Sequence, residues 1–155
     1  MFKIKLLALL LLALSSFASE TTPKINKAVF DCSAKELSFI ASRLRLIERT
    51  SQDFSGLKEK SDFVLTIHSH CTPIVSKDAA FLSADSDAKL IANIHTQLKK
   101  LMLNYNVEVR ACEIALAAFG IEKEDLIEGV KTTPNSFMDV IRLQNRGYAL
   151  FPLIQ

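Results

Sequence analysis

Three cysteines and two of the three histidines are the residues of this chain whose types and positions could support chemistry. Cys112 ends the run Val107-Glu108-Val109-Arg110-Ala111-Cys112 and precedes Glu113-Ile114-Ala115-Leu116. Val107, Val109 and Ala111 alternate with Glu108, Arg110 and Cys112, the period of a strand. Ile114, Ala115, Ala118 and Phe119 then fall at helical spacing, with Gly120 as a helix stop. Cys112 is therefore expected at the carboxyl end of a strand and the amino end of a helix. Ligands collect at that edge of open α/β sheets. The positive end of a helix also favours thiolate over thiol. Arg110, two residues earlier and so on the same strand face, favours the thiolate too, whereas Glu113 opposes it. The bland alternative is a small buried side chain.

Cys71 closes the run His68-Ser69-His70-Cys71. These are the residue types of a soft metal site, but a second cluster at zinc-like spacing is lacking, so no metal ligand set is assigned. Cys32 ends an earlier apolar run, Ala28-Val29-Phe30. It can pair with Cys71 or with Cys112 as a structural disulfide, and Cys71 or Cys32 can instead serve as the resolving thiol for chemistry at Cys112. With three cysteines, at least one is free, modified or paired between chains. No Cys-x-x-Cys pair and no Gly-x-Ser-x-Gly elbow occurs. Four glycines, at 56, 120, 129 and 147, cannot build a phosphate loop, so no nucleotide cofactor is expected.

The elements that must position these residues alternate. A strand ends at Asp31-Cys32. Ser33 and Glu36 match a capping box for a helix carrying Leu37, Ile40, Ala41, Leu44 and Ile47, ending near Thr50 or Phe54. Asp62–His68 is a second strand, apolar enough to be central in a parallel sheet. A polar loop with an exposed Cys71 follows, then a helical turn between Lys77 and Leu82. Asp85–Leu103 is an amphipathic helix. After the Cys112 strand and its helix come a turn at Lys123–Leu126 and a short strand at Gly129–Thr132. A last helix is expected to start at Pro134-Asn135-Ser136 with Ser136 and Asp139 as a capping pair and Phe137, Val140 and Ile141 inward. Tyr148–Phe151 is the fifth strand. The alternation implies a three-layer α/β/α domain with a five-stranded parallel sheet. Strand order is not legible. The three strands ending in or near cysteine would bring Cys32, Cys71, Cys112, His68 and His70 to one rim.

The chain has 155 residues, 49% of them apolar, enough for one domain with a sizeable core. Lys3 and Lys5, the apolar run Leu6–Leu14 and Ser16-Phe17-Ala18 match a signal peptide over 1–18. The run is too short to span a bilayer, and no membrane association is expected after cleavage. Residues 19–25 form a lead-in and 26–155 the domain. Nineteen basic residues face seventeen acidic ones; without Lys3 and Lys5 the two are equal. No basic stripe remains, which argues against nucleic acid. A periplasmic or secreted protein would meet an oxidising compartment, where disulfides persist.

The Cys112 segment, Gly120-Ile121, Glu124-Asp125-Leu126, Pro134-Asn135-Ser136 and Leu143-Gln144-Asn145-Arg146-Gly147-Tyr148-Ala149 together resemble the DsrE/DsrF-like family. The similarity reaches back through Phe63–His68 to Val29–Cys32. The resemblance implies a three-layer α/β fold and assembly into trimers or hexamers. It also implies, for some relatives, a persulfide carried at the position Cys112 matches and passed to an acceptor protein. Relatives often have glycine after that cysteine, where this chain has Glu113. Sulfur transfer through Cys112 is thus one expectation. The others are a module in which His68, His70 and Cys71 hold a metal or small ligand, and a structural oligomer with a disulfide.

Overall fold

A computed structural model describes residues 24–78 and 85–154. The leader at 1–18, most of the lead-in and the helical turn expected after Lys77 lie outside the described residues or across their boundary. Five strands, β1 (Ile25–Cys32), β2 (Lys60–Ile67), β3 (Glu108–Cys112), β4 (Lys131–Thr133) and β5 (Ala149–Leu153), form one parallel sheet in the order β4-β3-β2-β1-β5. Four α-helices connect them: α1 (Leu37–Gly56), α2 (Asp85–Tyr105), α3 (Glu113–Phe119) and α4 (Ser136–Asn145). The expected three-layer α/β/α architecture is present.

Strand β2 is central because it can be. Phe63, Val64, Leu65, Thr66 and Ile67 are all buried, so both of its faces tolerate cover. From β1 to β4 the chain steps steadily toward one edge, and right-handed crossovers place α1 and α2 on one face. The connection from β4 to β5 travels back across the sheet. The same handedness then puts α4 on the opposite face.

The register identifies the residues of each face. Cys32, Ile67 and Ala111 are partners across β1, β2 and β3. They belong to the larger core, with Ile40, Leu44 and Ile47 of α1 and Ile94, Leu98 and Leu101 of α2. Asp31, Thr66, Arg110 and Lys131 are partners on the other face. There only Val29, Val64, Val140 and Leu143 form a small apolar cluster under α4. This second face is largely polar. Tyr148 closes it, donating a hydrogen bond to Asp62 at 2.6 Å.

Local starts and stops differ from expectation in instructive ways. Helix α1 is capped by Glu36, whose carboxylate accepts from the N–H groups of Ser38 and Phe39, so Ser33 is not the cap. The carboxylate reaches two orphan donors where a hydroxyl reaches one. Asn135, not Ser136, caps α4, accepting from Phe137 N–H at 2.9 Å. Asp139 is drawn instead to Arg110. Phe137 and Ile141 were expected inward but are 67% and 57% exposed. Of the apolar residues of α4 only Val140 and Leu143 are buried against the sheet, because β1 and β2 offer just Val29 and Val64 to pack against. The loop after β2 is a 3-10 helix (Ser69–Val75) whose residues from Cys71 onward are buried. Its Cys71 is wholly buried and bonded to Cys32, across 39 residues of sequence. An exposed Cys71 thiol is therefore excluded.

Closing a loop of that length constrains the unfolded chain by about 4 kcal/mol. Replacing Cys32 and Cys71 together by alanine is expected to lower unfolding free energy by about 2–4 kcal/mol in urea titrations. Cys112→Ser should move the same transition by less than about 1.5 kcal/mol.

Candidate functional site

Cys112 is the residue before α3 and is 4% exposed. Its position follows from the junction itself, where the backbone leaves the strand (φ −73°, ψ 119°) and turns into the helix. Burial pushes the thiol up. Against it act the N–H groups of Ala115 and Ser136, the Ser136 hydroxyl and the N–H of Ile114, and their sum holds the thiol below its usual range. Cys112 makes no strict side-chain cap bond to α3, so these N–H groups act as dipoles aimed at the sulfur. The sulfur thus lies between the first turn of α3 and the first turn of α4. Ser136 reaches it because β4 lies beside β3, pairing Thr133 with Cys112.

The other expected residues are distributed unevenly around it. His68 follows β2, whose last residue Ile67 pairs with Ala111, so strand parity places His68 and Cys112 on the same face of the sheet. His68 is 9% exposed. Its Nδ1 is 2.9 Å from Ser69 Oγ, and its Nε2 is 3.1 Å from Asp31 Oδ1. The Nε2 faces Asp31 without an ideally directed hydrogen bond. Thr66 donates to the same Asp31 oxygen at 2.6 Å. Burial raises the Asp31 carboxyl, but His68 and Thr66 outweigh it and hold the group below its usual range. Phe137 covers this corner, its ring edge-on to His68 at 5.9 Å.

Arg110 shares the face of Cys112 but is committed elsewhere. Its Nε donates to Glu108 at 2.9 Å and its Nη1 to Asp139. Two carboxylates bracket the guanidinium, and the thiol's environment comes from N–H dipoles instead. Glu113 turns away from the sulfur, accepting from Thr132 at 2.7 Å and pairing with Lys123 at 2.8 Å. The missing family glycine therefore puts no unpaired charge beside Cys112.

The three cysteines do share the carboxyl edge of neighbouring strands. The sheet nevertheless divides them: Cys32 and Cys71 lie in the core under α1 and α2, while Cys112 faces α4. Cys112 is the free thiol. The run His68-Ser69-His70-Cys71 does not gather as a ligand set. His68 is buried, His70 is exposed, and Cys71 is in the disulfide. No group of three or more His, Cys, Asp or Glu side chains placed to hold a metal occurs among the described residues. Ser136, Asp31 and Phe137 are site residues that sequence reading misses. Asp31 carried a signal, a carboxylate one residue before a strand's end in an otherwise apolar run. Ser136 carried none until β4 was known to neighbour β3.

A family model described as the DsrE/DsrF-like family matches residues 27–153. The chain belongs to that family. A relative from Aquifex aeolicus (strain VF5), described as an uncharacterized protein, is 40% identical over 126 residues. The match covers 81% of this chain and 55% of the relative, so the chain spans about half the length of that protein. A solved structure of a protein of unknown function from Methanobacterium thermoautotrophicum shares the fold. Its TM-score is 0.64 at 18% identity, covering 84% of this chain and 98% of that one.

Two outcomes test the electrostatics. Ser136→Ala removes a hydroxyl donor, so the pH midpoint of Cys112 alkylation by iodoacetamide should rise. The depressed Asp31 carboxyl contributes stability that is complete above about pH 4 and is lost as pH falls through its folded value. Asp31→Asn should therefore flatten the acid limb of stability against pH, read by urea unfolding from about pH 2 to 6.

Proposed function

We propose that this chain is a sulfur carrier that works through Cys112. The observation that supports this most directly is the setting of the thiol: a free, shielded sulfur held below its usual pKa range by N–H groups from two helix starts. The thiolate is the nucleophile, and the same dipoles stabilise the anionic terminal sulfur of a persulfide. Attack on the outer sulfur of a persulfide or polysulfide forms a new S–S bond at Cys112. The donor's S–S bond breaks, and the electron pair leaves on the donor's inner sulfur, which takes up a proton. An acceptor thiolate then attacks the terminal sulfur and releases Cys112 thiolate. No oxidant is consumed in either step.

His68, on the sheet face of Cys112 and steadied by Asp31 and Ser69, is assigned the proton exchange in this reading. Neither Cys32 nor Cys71 serves as resolving thiol in this reading, since their disulfide lies across the sheet. Ile114, Phe137, Met138 and Ile141 are exposed around the first turns of α3 and α4 and suit contact with an acceptor protein or a further copy of the chain. The Cys32–Cys71 disulfide and the leader pattern at 1–18 support a periplasmic or secreted location.

Incubation with inorganic polysulfide followed by non-reducing intact mass spectrometry should show the gain of one or more sulfur atoms, removed by dithiothreitol. Peptide mapping should place the gain on Cys112, and Cys112→Ser should abolish it. Loading that persists in Cys112→Ser would overturn the proposal. An unmodified Cys112 in a stable oligomer would assign the protein a structural role instead.

A further inference from the structure

Five of the ten phenylalanines, Phe30, Phe39, Phe54, Phe63 and Phe151, line one cavity of about 610 Å³. It lies between α1 and the sheet edge formed by β1 and β5, on the disulfide's side of the sheet and so across it from Cys112. The volume falls in the range of small-molecule sites, roughly 300–1,000 Å³. The cavity exists because β5 is an edge strand beyond the reach of α2, and α1 alone flanks it. Phe30 stacks on Phe151 at 5.5 Å and meets Phe63 edge-on at 5.3 Å, which builds an aromatic floor. The rim is apolar and open: Leu46, Phe151 and Ile154 are each at least half exposed.

The polar side chains around this cavity are, with one exception, hydrogen-bonded or turned to the other face of the sheet. Asn26 donates to Glu59 at 2.6 Å. The Thr50 hydroxyl donates to the Leu46 carbonyl. Lys27 lies on the opposite sheet face by parity, with its ammonium over Tyr148. Arg43 is the exception. It is half-buried, its guanidinium lies 4.5 Å from the Phe39 ring centroid, and no carboxylate pairs with it among the described residues. A half-buried cation without a counter-ion at the mouth of an aromatic cavity calls for an anion with an apolar body.

We infer that this cavity binds an apolar carboxylic acid, alkyl or aryl, as its carboxylate. The apolar body lies among the phenylalanine rings, and the head group accepts the paired N–H donors of Arg43. The site is independent of the thiol on the other face.

Calorimetric titration of the full chain with sodium decanoate, paralleled by 1-decanol, tests this. Decanoate is expected to bind one to one. Arg43→Gln should weaken decanoate about tenfold, the loss of one charge-assisted pair, and leave 1-decanol unchanged. Leu46→Glu, which sets a like charge at the rim, should weaken decanoate further while Cys112→Ser leaves it intact. No binding up to about 1 mM, the weak end of specific affinity, would overturn the inference. Equal weakening of both probes by Arg43→Gln would do the same. So would a sedimenting dimer that Leu46→Glu dissociates and decanoate does not, since a second copy would then be the occupant.

Discussion

The right-handedness of parallel crossovers governs where the candidate site of this protein sits. From β1 to β4 the chain advances in one direction, and its long helices cover one face. The final connection reverses direction, so α4 must cross the other face, and it starts where β4 ends, beside the end of β3. Two consequences follow from that single reversal. The first turn of α4 is delivered to Cys112, adding Ser136 to the donors that α3 already supplies. One ten-residue helix is also left to cover a face that two long helices cover on the other side.

The thinly covered face explains its own composition. A buried charge needs a partner, and each charged group near the thiol has one. Arg110 is bracketed by Glu108 and Asp139, Glu113 is held by Lys123 and Thr132, and Asp31 by Thr66 and His68. With these charges neutralised locally, the field at the sulfur is set by backbone N–H dipoles and the Ser136 hydroxyl. Such dipoles are fixed by the fold, which is the preorganisation that the proposed carrier role requires.

The sheet also separates two kinds of cysteine. Cys32 and Cys71 tie β1 to the turn after β2 inside the larger core, a structural use suited to an oxidising environment. Cys112 stays free on the other side of a layer of buried backbone. That separation lets a free thiol coexist with a disulfide in one small domain, because thiol–disulfide exchange needs direct approach of one sulfur to another.

Much of this was legible in the residues alone. The alternation of strand and helix periods determined a parallel three-layer fold. The parity of Val107–Cys112 and the apolar spacing after it determined that Cys112 would stand at a strand–helix junction. Phe63–Ile67 announced a strand buried on both faces. The cysteine pairing, the donors at the sulfur and the exposure of Phe137 and Ile141 were decided only by tertiary structure. Each depends on which strands are neighbours and which face a crossover takes, and these are long-range facts. A capping pattern such as Ser136 with Asp139 is a local preference, worth about 1 kcal/mol, and it gave way when folding brought Arg110 within reach of Asp139. Local periodicity sets what each segment is. The partners of Cys112, His68 and Arg110 come from segments dozens of residues away, so no local pattern encodes them.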